Sequence, residues 1–298
     1  FRAFYGSYAT YSFQAENGHK YGDFSYLLNV NRSRSDGIRA NSDSDSLDIP
    51  LKIEYKPKDG AFAALRLAYH NDKAGMPGPK PAGDVSLRNA SQTTIGNDDV
   101  SSLYDSQKRN KYSADLKTSF PLAGGLSLNA EGYSESGRQE FSEKYFDYAQ
   151  MALTNERDTY DSGLHGMDIE LQSKNKAAMF ARQSFGAGWK YDTFNGVQQK
   201  PVNGLLPDIT RRSTATFKSA RLENESAFGP AAFTLAARFD HHSAFGFFLS
   251  PSAGIVFKPE GGNRDVKIQA GRSFKAPSLN DLYWPEDAFG AGNPALKP

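Results

Sequence analysis

The chain has 298 residues, 35 Lys plus Arg against 34 Asp plus Glu for a formal charge of +1, and no cysteine. Near-neutrality leaves no global field to draw nucleic acid, and the missing thiols exclude disulfide scaffolds, cysteine nucleophiles and thiolate metal sites. Mean hydropathy is -0.61 and no window holds 18 consecutive apolar residues, which argues against a membrane-crossing helix but not against a β-barrel, where only alternate residues meet lipid.

Period-two alternation predicts a partial strand at 1–5, then strands at 9–17, 23–35, 46–56, 61–71, 110–120, 126–140, 163–173, 177–192, 213–228, 231–243, 247–258 and 264–275. Residues 47–56 carry the pattern most clearly: Leu47, Ile49, Leu51, Ile53 and Tyr55 alternate with Asp48, Pro50, Lys52, Glu54 and Lys56. Phe24, Tyr26, Leu28 and Val30, and near the end Val266, Ile268, Ala270 and Phe274, form the same kind of apolar stripe. The full segments run about 9 to 14 residues, longer than an ordinary strand and suited to a tilted bilayer crossing. Aromatics such as Tyr55, Tyr69, Tyr112, Trp189, Tyr191 and Phe257 gather near segment ends, as an interfacial girdle requires.

Connections alternate in length. Short turns at 57–60, 121–125, 173–176, 229–230 and 258–263 oppose long Gly-, Asp-, Asn- and Ser-rich segments at 72–109, 142–162, 193–213 and 276–298. Outer-membrane barrels have short periplasmic turns and long outer loops, so the strand ends near 35, 71, 140, 192 and 275 are expected to face outward, with Ser243 to Gly246 as a short outer hairpin. The predicted fold class is therefore all-β, an antiparallel transmembrane barrel, located in a bacterial outer membrane. Phe1-Arg2-Ala3-Phe4-Tyr5 has none of the features of a signal peptide, so a secreted protein would be seen here without its beginning.

Gly271-Arg272-Ser273-Phe274-Lys275-Ala276-Pro277-Ser278-Leu279-Asn280-Asp281-Leu282-Tyr283, followed by Gly292-Asn293-Pro294-Ala295-Leu296-Lys297-Pro298, resembles a signature of TonB-dependent outer-membrane receptors, where such a segment forms an outer loop between strands. Gly6 to Tyr11, Asp36-Gly37 with Asn41-Ser42-Asp43, and Gly75-Met76-Pro77-Gly78 agree with it in order and spacing. The resemblance implies that residues 1–298 are part of a single barrel domain, about 12 to 13 of roughly 22 strands, with the plug domain and later strands outside this sequence. It also implies import of a scarce large solute, a ferric siderophore first and cobalamin second. TonB with its ExbB/ExbD complex would energise the import, and lipid would surround the wall.

Candidate ligand contacts in the outer loops are Tyr104, Tyr145, Phe146, Arg211, Arg212, Tyr283 and Trp284. Flat rings can stack on a catecholate or corrin and Arg pairs with anionic groups, whereas ordinary loop packing explains each residue singly. Asp36, Asp43 and Asp45, beside Asp48, form an oxygen-rich cluster that could take calcium, although no EF-hand spacing is present and a solvated acidic loop is the preferred account. Asp98-Asp99 reads the same way. No cofactor is required. Adjacent His241 and His242 must point to opposite faces of a strand and cannot share a metal. Gly186 and Gly188 are expected to make room for aromatic packing rather than to cradle a phosphate. No catalytic triad, zinc helix or nucleotide fingerprint is present, so an enzyme is not expected. A passive porin would share the girdles and loops but need no plug, and a soluble β-rich adhesin would not depend on detergent.

Overall fold

The computed structural model describes residues 1–78, 102–147, 152–174, 182–199, 209–258, 265–285 and 290–298. Thirteen strands form one antiparallel sheet in strict sequence order. They are β1 (Arg2–Tyr5), β2 (Tyr11–Tyr21), β3 (Phe24–Ser35), β4 (Ser44–Tyr55), β5 (Phe62–Gly75), β6 (Ser106–Pro121), β7 (Leu126–Asp147), β8 (Ala152–Lys174), β9 (Arg182–Gln199), β10 (Ile209–Phe228), β11 (Ala231–His242), β12 (Gly246–Phe257) and β13 (Val266–Gly271). A five-residue α-helix, α1 (Leu279–Tyr283), follows β13. No described helix is long and apolar enough to cross a membrane.

Register aligns the apolar stripes row by row. Leu51 faces Leu67 across β4–β5, Leu65 faces Leu116 across β5–β6, and Met167 faces Trp189 across β8–β9. Because side chains alternate, the intervening residues form a second, polar face, where Arg66 meets Asp115, Lys117 meets Glu131 at 2.7 Å and Arg221 reaches Glu170 at 2.9 Å. Exposure is inverted relative to a water-soluble sheet. Leu222, Leu235 and Ile268 are 50%, 60% and 63% exposed, while Gln172, Ser184 and Asp240 on the other face are 7%, 8% and 4% exposed. Covered polar and open apolar faces belong to a barrel wall, whose outward side takes its packing from lipid. The polar face is therefore the lumen side. Aromatic pairs mark the lipid boundaries: Phe24 with Tyr55 at 4.5 Å near the short turns, and Tyr69 with Tyr112 at 5.0 Å near the long connections.

Turn chemistry matches expectation at Gly229-Pro230, where Gly229 takes φ 53° between β10 and β11. Strand lengths do not match. β7, β8, β9 and β10 run 22, 23, 18 and 20 residues, so stretches expected to be loops at 142–162 and 193–213 are largely paired hairpins. In these upper portions the outward face is polar, which hides the alternation, yet backbone pairing continues without an apolar outward face. Their outward side is laced by ion pairs: Arg138 donates through Nε and Nη2 to Asp161 at 2.6 and 3.0 Å, and Arg157 holds Glu140 at 2.6 Å. Such charges belong above the lipid, so these hairpins stand clear of the membrane.

The far end differs as well. β13 stops at Gly271 instead of 275, and Phe274 leaves the apolar stripe to which its spacing assigned it. The turn at 175–176 and the stretch 259–263 lie outside the described residues.

A candidate site where the chain returns across the lumen face

After β13 the chain turns inward. Arg272 donates its N–H to the Pro251 carbonyl at 2.9 Å, and Phe274 then lies against the lumen face, stacked on Phe248 at 3.7 Å and on Phe217 at 6.2 Å. Phe217 is also approached by Lys190 Nζ at 5.7 Å and by the Arg238 guanidinium at 5.8 Å, so the aromatic anchor sits among cations. Lys190 pairs with Asp192 at 2.8 Å, and Arg238 with the buried Asp240 at 2.8 Å. A cavity of about 490 Å³ lies between this segment and the wall, lined by Glu135, Leu164, Lys190, Asp192 and His242 together with residues 274–280.

Pro277 cannot donate a backbone hydrogen bond, and α1 starts directly after it with a capping box. The Asp281 N–H donates to Ser278 Oγ at 3.1 Å, while Asp281 Oδ2 accepts from the Ser278 N–H at 2.9 Å and from its hydroxyl at 2.7 Å. The two Ser278 donors hold the Asp281 carboxyl below its ordinary pKa. Leu282 is buried beneath the helix. Beyond it, the Gly292 N–H donates to Trp284 O at 2.9 Å and the Asn293 N–H to Asp281 O at 2.8 Å, folding the last residues back onto α1. A Cβ at Gly292 would overlap the Trp284 and Tyr283 amides, so only glycine fits there.

Trp284 is the second anchor. Its ring stacks on Tyr160 at 4.3 Å and lies 6.4 Å from Phe194; Phe141 meets Tyr160 edge-on at 5.9 Å. Pro285 is fully buried beside them, and a Cβ on Gly196 would come within 3.2 Å of it, so the segment packs closely against the β9 backbone there. Phe141, Tyr160 and Phe194 come from the overhanging parts of β7, β8 and β9. Tyr160 and Phe194 fall within the expected long connections 142–162 and 193–213, and Phe141 just before the first; no local pattern singles them out, because only the long hairpins bring them under Trp284.

The other expected contacts are dispersed. Tyr283 is half-buried in α1, and Tyr104 is exposed with Lys144 Nζ 4.6 Å over its ring. Arg211 and Arg212 fall on opposite faces of β10: Arg211 is opposite Gly196 on the lumen side, while Arg212 donates outward to Asn195 Oδ1 at 3.2 Å. Tyr145 and Phe146 pair through their backbones with Thr154 and Leu153 at the top of β7, and their side chains lie outside the described residues, as do Tyr148 and Asp98-Asp99.

Asp45 is engaged by Arg32 at 2.9 Å and Asp36 faces Arg34 at 3.8 Å, while Asp43 serves through its carbonyl, accepting from the Gly75 N–H. Among the described residues no three His, Asp or Glu side chains are grouped to hold a metal ion. His241 and His242 do point apart, the first against the exposed ring of Phe247 and the second against Phe217. Gly186 and Gly188 make room for charged side chains, not aromatics: Arg221 covers the first and Asp168 the second. A hollow of about 1050 Å³ lies on the apolar outward face around Leu171, Phe185, Leu222 and Leu235, where lipid belongs, and it gathers few polar groups.

A family model described as TonB dependent receptor-like, beta-barrel, matches residues 2–298. The chain belongs to this family. Its members are outer-membrane receptors and transporters, not enzymes. Among its relatives, the vitamin B12 transporter BtuB of Vibrio vulnificus is 25% identical over 179 residues, covering 57% of this chain and 28% of that protein. The ferric preacinetobactin receptor BauA of Acinetobacter baumannii shares the fold with a TM-score of 0.67 at 12% identity, over 90% of this chain and 46% of that one. The siderophore receptor PirA of Pseudomonas aeruginosa does so at 0.62 and 15%, over 94% and 42%. This TonB-dependent receptor chain thus spans less than half the length of each of these relatives.

Proposed function

We propose that this chain forms part of the wall of an outer-membrane receptor that binds and imports a scarce large solute, with a ferric siderophore as the first expectation and cobalamin as the second. Energy would come through TonB and its ExbB/ExbD complex. The observation that carries this reading is the returning segment. It is held against the lumen face by Phe274 and Trp284, which sets a layer of aromatic rings at the outer end of that face.

Trp284 and Tyr283, with Arg211 on the same side of the wall, are assigned to the ligand-facing surface, and Tyr104, Tyr145 and Phe146 to its rim; Arg212 points away. The likeness to siderophore receptors and to a vitamin B12 transporter supports this choice of cargo. The test is growth of a strain lacking the protein on defined ferric siderophores and on cobalamin as limiting nutrients. Loss of one uptake activity, restored by the wild-type protein and weakened by Trp284→Ala, is expected; unchanged uptake of every siderophore and of cobalamin would overturn the reading.

A further inference from the structure

Above the Tyr69–Tyr112 pair the outward face turns from apolar to charged, and several of its charges are matched in Arg32–Asp45, Arg138–Asp161 and Arg157–Glu140. Lys73 and Lys108 differ. They are direct cross-strand partners in the β5–β6 register, both exposed on the outward side, an arrangement that by itself weakens a sheet. Asp45 lies opposite Lys73 and Glu140 opposite Lys108, so two salt bridges were within reach. Each carboxylate instead turns to the strand beyond: Asp45 to Arg32 at 2.9 Å and Glu140 to Arg157 at 2.6 Å. Asp43, one pair further out, bridges neither lysine. Two neighbouring ammonium groups are left without an ion pair among the described residues.

Their height on the wall matters. Asn71 and Asn110, hydrogen-bonded to each other, lie one row below, and the Tyr69–Tyr112 rings one row below that. Four residues along a strand are roughly 13 Å, less when tilted, which puts the lysines at headgroup level over an aromatic step at the edge of the hydrocarbon. Flexible lysine stems allow both ammonium groups to bend toward a single anion.

We propose that Lys73 and Lys108 form a binding site for the phosphate of an outer-leaflet glycolipid, with the Tyr69 and Tyr112 rings beneath it against the lipid's apolar part. The inference needs only the outer-membrane placement and is independent of the imported solute. A charged pair at a membrane surface contributes about 1 kcal/mol per cation, so removing both predicts about a 30-fold loss of occupancy.

The experiment uses the protein extracted from outer membranes in mild detergent, with native mass spectrometry reading the bound fraction of bisphosphorylated lipid A and of the same lipid after phosphatase treatment. The wild-type protein is expected to retain the phosphorylated lipid and release the other. The Lys73→Gln, Lys108→Gln pair should lose that retention, a Lys20→Gln, Lys58→Gln pair near the short turns should keep it, and Lys73→Arg, Lys108→Arg should preserve it within about threefold. Heat-modifiable migration verifies folding, and the Arg pair supplies the comparison if the Gln pair does not fold. Equal retention of both lipids, no difference between the two Gln pairs, displacement of the lipid by millimolar inorganic phosphate, or a dimer that depends on these lysines would overturn the proposal.

Discussion

Strands β3 to β5 and strands β7 to β10 are cut from the same alternating cloth but end differently. The first three run 12, 12 and 14 residues and stop soon after the outer aromatic row, whereas the second group runs 18 to 23 and continues well above it. Lipid enforces an apolar outward face, because a charge exposed to hydrocarbon is costly. Above the lipid that demand ends, and backbone pairing together with ion pairs such as Arg138–Asp161 is enough to carry the hairpins on. The overhang in turn creates a lumen wall tall enough for Trp284 to dock on Tyr160.

The sharpest way to break this comparison is to place one charge at two heights on the outward face of β8. Ile169→Lys should destabilise the folded barrel by about 2–4 kcal/mol, and Thr159→Lys by less than about 0.5 kcal/mol, in urea unfolding from liposomes. Equal costs would mean that the upper hairpins are also in lipid.

A smaller effect is expected at the aromatic anchor. Tyr160→Ala should cost about 1–2 kcal/mol through lost stacking and burial. The chain has two tryptophans, and Trp189 sits on the lipid side, so in a Trp189→Phe background the Trp284 emission should shift to the red when Tyr160 is removed. An unchanged spectrum would separate Trp284 from the wall.

Smaller still is the exposed outward pair: Asp161→Asn should cost no more than about 1 kcal/mol and less in high salt. The least effect concerns α1. Asp281 has its pKa lowered by Ser278, so its contribution is present above the ordinary carboxylate range and is lost as the pH falls through the lowered value. Ser278→Ala should return Asp281 toward its ordinary pKa, measurable by carboxyl NMR, and move loosening of the segment to higher pH.

Legibility in the sequence followed the lipid. Leu47 to Tyr55 announce β4 almost residue for residue, because burial in hydrocarbon writes a strict alternation. Residues 142–147 and 152–162 look like a loop, since Ser142, Glu143, Asn155, Glu156 and Arg157 carry no apolar stripe, yet most of them are strand. The family signature pointed to Trp284 but implied an outer loop for it. That the segment turns inward depends on Phe217 and Phe248, whose places opposite Phe274 exist only after the sheet is assembled. Phe274 continued the spacing of Val266, Ile268 and Ala270, and nothing local shows that the strand ends three residues before it.

The central claim is that residues 272–285 lie across the lumen face with Pro285 seated against Gly196. The chain has no cysteine, so Gly196→Cys with Pro285→Cys introduces a single pair of thiols into it. On mild oxidation of outer membranes, peptide mass mapping should find these two positions joined by a disulfide in most of the folded protein, with neither thiol open to a membrane-impermeant maleimide on intact cells. Two free thiols that both label readily, in protein that still migrates as a folded barrel, would contradict it.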